Sequence, residues 1–353
     1  MAEHRQKTPP NSGHRFLTPI LLILAMFGSP LQTRGQDEPL FDELMSALKQ
    51  KHLSVGLLLQ VGTDFQIERS FPGNNGFNIS NARIDVSGEL DGGFGYLLQA
   101  SLTGSPSILD AKAHYRITQQ FIVDAGLFKP PFSKEFLTHP GSIDFVNRSQ
   151  VVTALVASRQ IGVQLRGAIS GSPVGYGVGV FNGNGFDGNN NDNNDFMYAG
   201  RLGISPLLGD SSLLEVGVNG LYSNDKNAVI GSGVLPSFDG TRLMYGGDVR
   251  MMYRDFLLSA EAIVSRLKQR DGRIDEPSGY YVSAGYMLTA TSQILLRWDS
   301  FSPDGFGSDS RLLIFGYNLW PTRPTEVQVN YVIPTREAGP KHHQLLLNAQ
   351  IMF

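Results

Sequence analysis

Basic side chains recur at alternate positions in several stretches of this chain, as in Lys112, His114 and Arg116. Alternate residues of a strand share one face. On that rule the basic candidates for one common face are Arg83, Lys112, Arg116, Arg166, Arg201, Arg242, Arg250, Arg254 and Arg297. A row of arginines and lysines can pass an anion between successive charge-assisted hydrogen bonds. The same faces also carry Asp64, Asp85, Glu89, Glu215, Asp248, Glu261, Asp299 and Glu326. Opposed signs lining a water-filled space set up a transverse field instead, with little net preference for either ion sign. Both readings stay open on these residues. The stretch 128–157 and its C-terminal edge add Lys129, Lys134, Arg148 and Arg159, set against Glu135 and Asp144.

Other motifs invite chemistry that their context does not support. Gly183-Asn184-Gly185-Phe186-Asp187-Gly188 matches a dinucleotide fingerprint, but an Asn-rich run follows it where the phosphate site needs a helix. The run 189–195, with Asp192 and Asp195, lacks the glycine and terminal glutamate of a calcium loop. His342 and His343 are neighbours, which puts them on opposite faces of a strand. There is no G-x-S-x-G, and His114 between Lys112 and Arg116 suits a charged lining better than acyl transfer. The residues give no catalytic set, no metal site and no cofactor.

The elements that must position these side chains are strands. Within 325–331 the odd positions Thr325, Val327, Val329 and Tyr331 oppose Glu326, Gln328 and Asn330. Within 242–254, Leu243, Tyr245, Val249, Met251 and Tyr253 oppose Arg242, Asp248, Arg250 and Arg254. Within 160–169, Ile161, Val163, Leu165 and Ile169 oppose Gln160, Gln164 and Arg166. Period two assigns each set to its own face. Turn residues divide the chain into about sixteen such strands, an even number as bacterial barrels have. Short breaks such as Asp91-Gly92 and Thr289-Ala290 alternate with longer Gly-, Asn- and Asp-rich ones such as 183–194 and 224–239. Short periplasmic turns alternating with long external loops are the pattern of an outer-membrane barrel, and a Greek-key sandwich has no reason to follow it. The last strand alternates through Leu345, Leu347, Ala349 and Ile351 to a terminal Phe353, placing a ring at the membrane interface.

The N-terminus and composition agree. Arg5, Lys7, His14 and Arg15 precede an apolar run, 16–27, too short to span a membrane; Thr33-Arg34-Gly35 then offers small residues around a cleavage site. Residues 1–35 therefore read as a signal peptide. Residues 36–52, where Leu40, Phe41, Leu44, Met45 and Leu48 share a helical face, read as a short periplasmic segment. Residues 53–353 read as the barrel. Forty glycines, 17% charged residues and a mean hydropathy of −0.11 fit alternation better than segregated blocks. The absence of cysteine removes disulfides, thiolate metal sites and a lipoprotein anchor. Removing 1–35 leaves 25 basic against 31 acidic residues, a net charge of −6 that disfavours nucleic acid as a partner.

The 128–157 stretch opens on Gly126-Leu127-Phe128-Lys129-Pro130-Pro131-Phe132-Ser133 and continues through Asp144-Phe145-Val146-Asn147-Arg148-Ser149 and Arg159-Gln160-Ile161-Gly162-Val163-Gln164-Leu165. With Tyr176 and Val180-Phe181-Asn182-Gly183, these residues resemble the phosphate-selective porin O and P family. The resemblance implies an all-β, transmembrane antiparallel barrel, trimeric, whose third external loop folds inward to form the constriction. It also implies small anions or other small hydrophilic solutes as cargo, outer-membrane lipid as surroundings and the bacterial outer membrane as location. The family members best known for phosphate uptake line the pore with arginines and a lysine cluster, and a dense lysine cluster is absent here. The constriction candidates are Arg83, Lys112, Arg116, Lys129, Lys134, Arg148, Arg159, Arg166, Arg201, Arg250 and Arg297. An outer-membrane hydrolase assembled from distant strands, or a non-conducting adhesin barrel, remain alternatives.

Overall fold

The computed structural model describes residues 39–66, 75–185, 190–206, 212–335 and 342–353. The leader expected over 1–35 lies outside them, as do residues 186–188 of the glycine motif and Asn189. The chain divides into two units, residues 1–44 and 45–353. Of the first, the described part is the start of helix α1 (Pro39–Leu48), with Asp42 in its first turn.

The second unit is one antiparallel sheet. It begins with β1 (Ser54–Gln66), β2 (Gly76–Glu89), β3 (Phe94–Ser101), β4 (Ser107–Arg116) and β5 (Ile122–Phe128). After a long connection come β6 (Gln160–Ala168), β7 (Val174–Phe181), β8 (Met197–Ile204), β9 (Ser212–Ala228), β10 (Phe238–Tyr253) and β11 (Phe256–Gln269). The two-residue β12 (Ile274–Asp275) extends only the far end of β11. The series ends with β13 (Ser278–Thr289), β14 (Ser292–Ser302), β15 (Ser310–Thr322), β16 (Thr325–Pro334) and β17 (Gln344–Met352). Each full-length strand pairs with its sequence neighbours, and β1 pairs with both β2 and β17, closing a sixteen-strand barrel. Closure leaves no unpaired edge, the condition for backbone to stand in lipid. The last residue takes part: Leu57 donates its N–H to the Phe353 carbonyl at 2.9 Å, and Phe353 donates back to Leu57 at 3.1 Å.

The two faces of the wall are inverted relative to a soluble sheet. Along β11, β13 and β14 the exposed positions are Val264, Tyr280, Val282, Ile294 and Leu296, whereas the alternating Ser259, Glu261, Ser283, Arg297 and Asp299 are buried. Apolar outside and polar inside is what a membrane strand requires. Arg254 departs from the alternation assigned to it. It occupies the tight β10–β11 turn with φ of 52°, exposed and stacked on Tyr253, because the strand ends one residue earlier.

The apolar core of the barrel unit gathers around residues 129–159, between β5 and β6. Helix α3 (Gln150–Leu155) buries Val151, Val152, Ala154 and Leu155 with Phe132 against Phe181, Met197, Leu221, Met244, Ile263 and Leu267 of β7–β11. Two glycines permit this approach. A Cβ at Gly279 stands 2.9 Å from the Val151 Cβ, and one at Gly231 stands 2.4 Å from the Thr153 and Ala154 carbonyl oxygens. Gly231 also has φ of 59°, a conformation that side-chain-bearing residues seldom adopt.

Candidate pore constriction

Residues 129–159 are tied to the buried faces of distant strands chiefly through main-chain groups. Ser133 donates its N–H to Asn219 of β9 at 2.6 Å, and Val146 to Asn330 of β16 at 2.8 Å. The carbonyls of Gly141, Ile143 and Asp144 accept from Gln350, Gln328 and Asn318 at 2.9, 3.0 and 2.9 Å. A segment without strand or long helix has few partners for its own peptide groups, so amides on the wall supply them. This explains the otherwise puzzling row of buried Asn and Gln on β15–β17.

A buried ionic knot fixes the middle of the segment. Glu135, in the one-turn α2 (Lys134–Leu137), accepts from Arg297 at 2.8 Å, from the Ser149 N–H at 2.8 Å and from its hydroxyl at 2.7 Å. The Arg297 guanidinium is clamped between the rings of Phe145 and Tyr281, 4.2 and 4.5 Å from their centroids. Asp299 accepts the Gln150 N–H at 3.0 Å, and Arg250 makes a two-pronged contact with Asp144 at 2.7 and 3.0 Å. With only 2% of its side chain exposed, Arg297 is enclosed and offers no donor to a passing solute.

Most other sequence candidates are likewise neutralised. Lys112 and Arg166 share Asp124, at 3.5 and 2.6 Å, and that carboxylate is fully buried. Arg201 forks onto Asp248, one prong at 2.8 Å, and Lys134 meets Glu215 at 2.9 Å. Arg242, which alternation placed on the same face, binds Asp225 at 2.8 Å. Arg116 stands apart at the end of β4, 45% exposed, sharing Glu89 with His114 at 3.2 Å each.

Four candidates come together differently. Arg159 contacts Asp110 at 2.9 Å and Gln99 at 3.2 Å. Arg83 donates to the Asn81 amide oxygen at 2.8 Å. The Lys129 ammonium donates to the Phe136 carbonyl at 2.5 Å, and Arg148 to the carbonyls of Glu135 and Thr138 at 3.1 and 2.8 Å. Lys129 and Arg148 both approach the Phe136 ring, at 4.9 and 6.0 Å. Among the described residues, Arg83, Lys129 and Arg148 have no carboxylate within ion-pair distance. Burial, then the neighbouring Arg148 and Arg159 cations, pull the Lys129 ammonium down to about 7. His139 beside them is pulled to about 4, by burial first and then by Arg83, Lys129, Arg148 and Arg159. Like charges close enough to depress one another make a strongly positive patch.

That patch lies between two cavities. One, of about 690 Å³, is lined by Arg83, Phe136 and Arg148; the other, of about 560 Å³, by Lys129, Lys134, Leu137, Arg166 and Arg201. The turn of α2 separates them, with Phe136 on one side and Leu137 on the other. The sequence reading missed Phe136 and His139, since neither an isolated ring nor a lone histidine in an irregular segment carries a periodic signal.

Comparison with known proteins places the fold. No curated protein matches the chain. The anion-selective porin from Comamonas acidovorans superimposes with a TM-score of 0.63 at 11% identity, over 86% of this chain and 100% of that one. The in-vitro folded outer membrane protein OmpT of Vibrio cholerae, in its trimer form, gives 0.59 at 11%, over 85% and 99%. OprB of Pseudomonas putida gives 0.61 at 10%, over 88% and 96%. At these identities the likeness is one of fold. The sequence model for phosphate-selective porin O and P matches residues 55–305. A closed barrel with an apolar outer face and a charged interior, matched by that model over most of its length, belongs to the phosphate-selective porin O and P family and is a porin of the bacterial outer membrane.

Proposed function

We propose that this porin admits small hydrophilic solutes passively with a preference for anions, and that residues 129–159, folded inward as the third external loop, form its constriction. The observation that carries the reading is the grouping of Arg83, Lys129 and Arg148, which among the described residues have no carboxylate at ion-pair distance, with Arg159, which holds Asp110. Guanidinium and ammonium donors there replace part of an anion's hydration shell and repel cations. A phosphate-specific ladder is less well supported, because Arg166, Arg201, Arg250 and Arg297 already hold carboxylates. The reading treats the protein as a channel without catalysis. It also takes the leader 1–35 as removed, residues 36–52 as periplasmic, and the assembly as a homotrimer, as OmpT of Vibrio cholerae adopts. The apolar outer face is the surface that meets lipid.

Reversal potential in a potassium chloride gradient across a planar bilayer tests this. Stepwise conductance with a potential of the sign set by chloride is expected. Cation preference, or no steps from folded and inserted protein, would overturn the reading.

A further inference from the structure

The 690 Å³ cavity has two unlike walls. One presents Arg83 and Arg148; the acid Asp299 also borders the cavity, its carboxylate held by the Gln150 N–H at 3.0 Å. The other is apolar: Phe145, Leu312, Ile314, Val332 and Leu346 line the cavity and belong to one contiguous cluster, with Val146 packed on it. Their placement follows the strands. On β15–β17 the buried face carries Asn318, Gln328, Asn348 and Gln350 toward the short-turn end. On the same strands the buried face changes to Leu312, Ile314, Val332 and Leu346 toward the long-loop end. The polar half is explained by the main-chain groups of residues 129–159 that it binds. The apolar half makes no such bonds and faces open space.

Aliphatic and aromatic side chains give nothing to a hydrated inorganic anion, and they raise the cost of any ion that sheds its water beside them. They suit a solute that has an apolar body as well as a charge. The two walls adjoin: Val146, packed on the apolar cluster, and Arg148 are two residues apart, so at most about 7 Å separates their Cα atoms. A carboxylate joined to a ring or short branched chain spans that gap. Cavities of a few hundred Å³ with one apolar wall and a few fixed polar groups are the usual shape of small-molecule sites.

We propose that this cavity is a binding site for amphipathic organic monocarboxylates. The carboxylate sits on Arg83 and Arg148, and the apolar body lies against Phe145, Ile314, Val332 and Leu346. Resting on the anion-preferring reading above, this names the class of anion that the channel favours: aromatic and branched carboxylates over small hydrated ones.

The experiment compares benzoate with acetate on the full mature protein in planar bilayers. Each is titrated against the chloride current, and the concentrations for half-block are compared. Benzoate is expected to act at roughly tenfold lower concentration, the scale of a small apolar contact in a pocket. In Ile314→Asn and Val332→Asn that ratio is expected to fall toward one, while Arg148→Gln weakens both ions together. Val332→Thr, nearly isosteric, supplies the same comparison from a barrel that inserts if the asparagine variants do not. Equal block by benzoate and acetate, in a wild-type channel that still prefers chloride to potassium, overturns this inference and leaves the anion reading standing. A benzoate preference that survives both polar substitutions of the wall also overturns it. Absence of anion preference in the wild type brings down the anion reading, and this inference with it.

Discussion

Along β8–β14 the inward cations Arg201, Arg242, Arg250 and Arg297 each meet a carboxylate, whereas around β2 and the facing loop Arg83, Lys129 and Arg148 meet only amide and carbonyl oxygens. The first arrangement satisfies buried charge, and two of its pairs, Arg250 with Asp144 and Arg297 with Glu135, also hold the loop. The second leaves net positive charge next to open space. The same residue types thus sit in opposite settings: a paired arginine is a fastener, and on the proposed reading one without a carboxylate is a donor for a solute. Glu135→Ala breaks the first region hardest, leaving Arg297 buried without its carboxylate and Ser149 without its acceptor. Removing one partner of a buried pair costs about 3–5 kcal/mol. The unfolding midpoint in urea is expected to drop accordingly, with larger and noisier unit conductance as the loop loosens. Unchanged conductance and midpoint would mean that the knot does not hold the loop.

Arg148→Gln strikes the second region; it removes the hydrogen bonds to the Glu135 and Thr138 carbonyls, so a stability loss smaller than that of Glu135→Ala is expected. Near a wet pore one charge is worth ~0.5–1 kcal/mol to a passing ion, so the chloride-to-potassium permeability ratio is expected to fall roughly two- to fivefold. Arg83→Gln added to it should lower the ratio further. A ratio indifferent to both would move selectivity away from this cluster.

The sequence carried the strands well, because a barrel wall repeats one instruction, apolar out and polar in, and period two is visible wherever that instruction holds. It carried the candidate cations for the same reason. It could not carry their pairing. Asp124 lies within β5 and looks like any strand acid, yet it holds both Lys112 and Arg166. Arg297 and Glu135 are 162 positions apart and meet only because the loop crosses to β14. The apolar inner wall at Leu312, Ile314, Val332 and Leu346 was equally hidden, since apolar residues on both faces of a strand erase the alternation that locates them.

The Lys129 ammonium sharpens the comparison by titration. Its pKa of about 7 lies below the ordinary lysine value because burial and the Arg148, Arg159 and Arg83 cations penalise the charged form, with Asp110 opposing. Raising the pH from about 6 to about 8 therefore removes one positive charge from the cluster. Anion preference should decline over that interval, and Lys129→Met should flatten the profile at its high-pH level. His139, at about 4, is neutral throughout and does not contribute. A profile that stays sloped in the methionine variant assigns the titration to another group.

The smallest effect is expected at Arg116, which alternation placed on the same face as the others. It sits at the end of β4 with 45% of its side chain exposed, and its partner Glu89 is 39% exposed and shared with His114. Water and salt screen a charge so placed, and exposed pairs contribute between nothing and about 1 kcal/mol. Arg116→Gln should leave the permeability ratio within error of wild type at ordinary ionic strength, with a slight shift emerging only at low salt. A loss of anion preference as large as that of Arg148→Gln would show that the mouth at the short-turn end selects ions. The contrast between paired and unpaired cations would then describe how the loop is held and would leave the choice of solute to the rim.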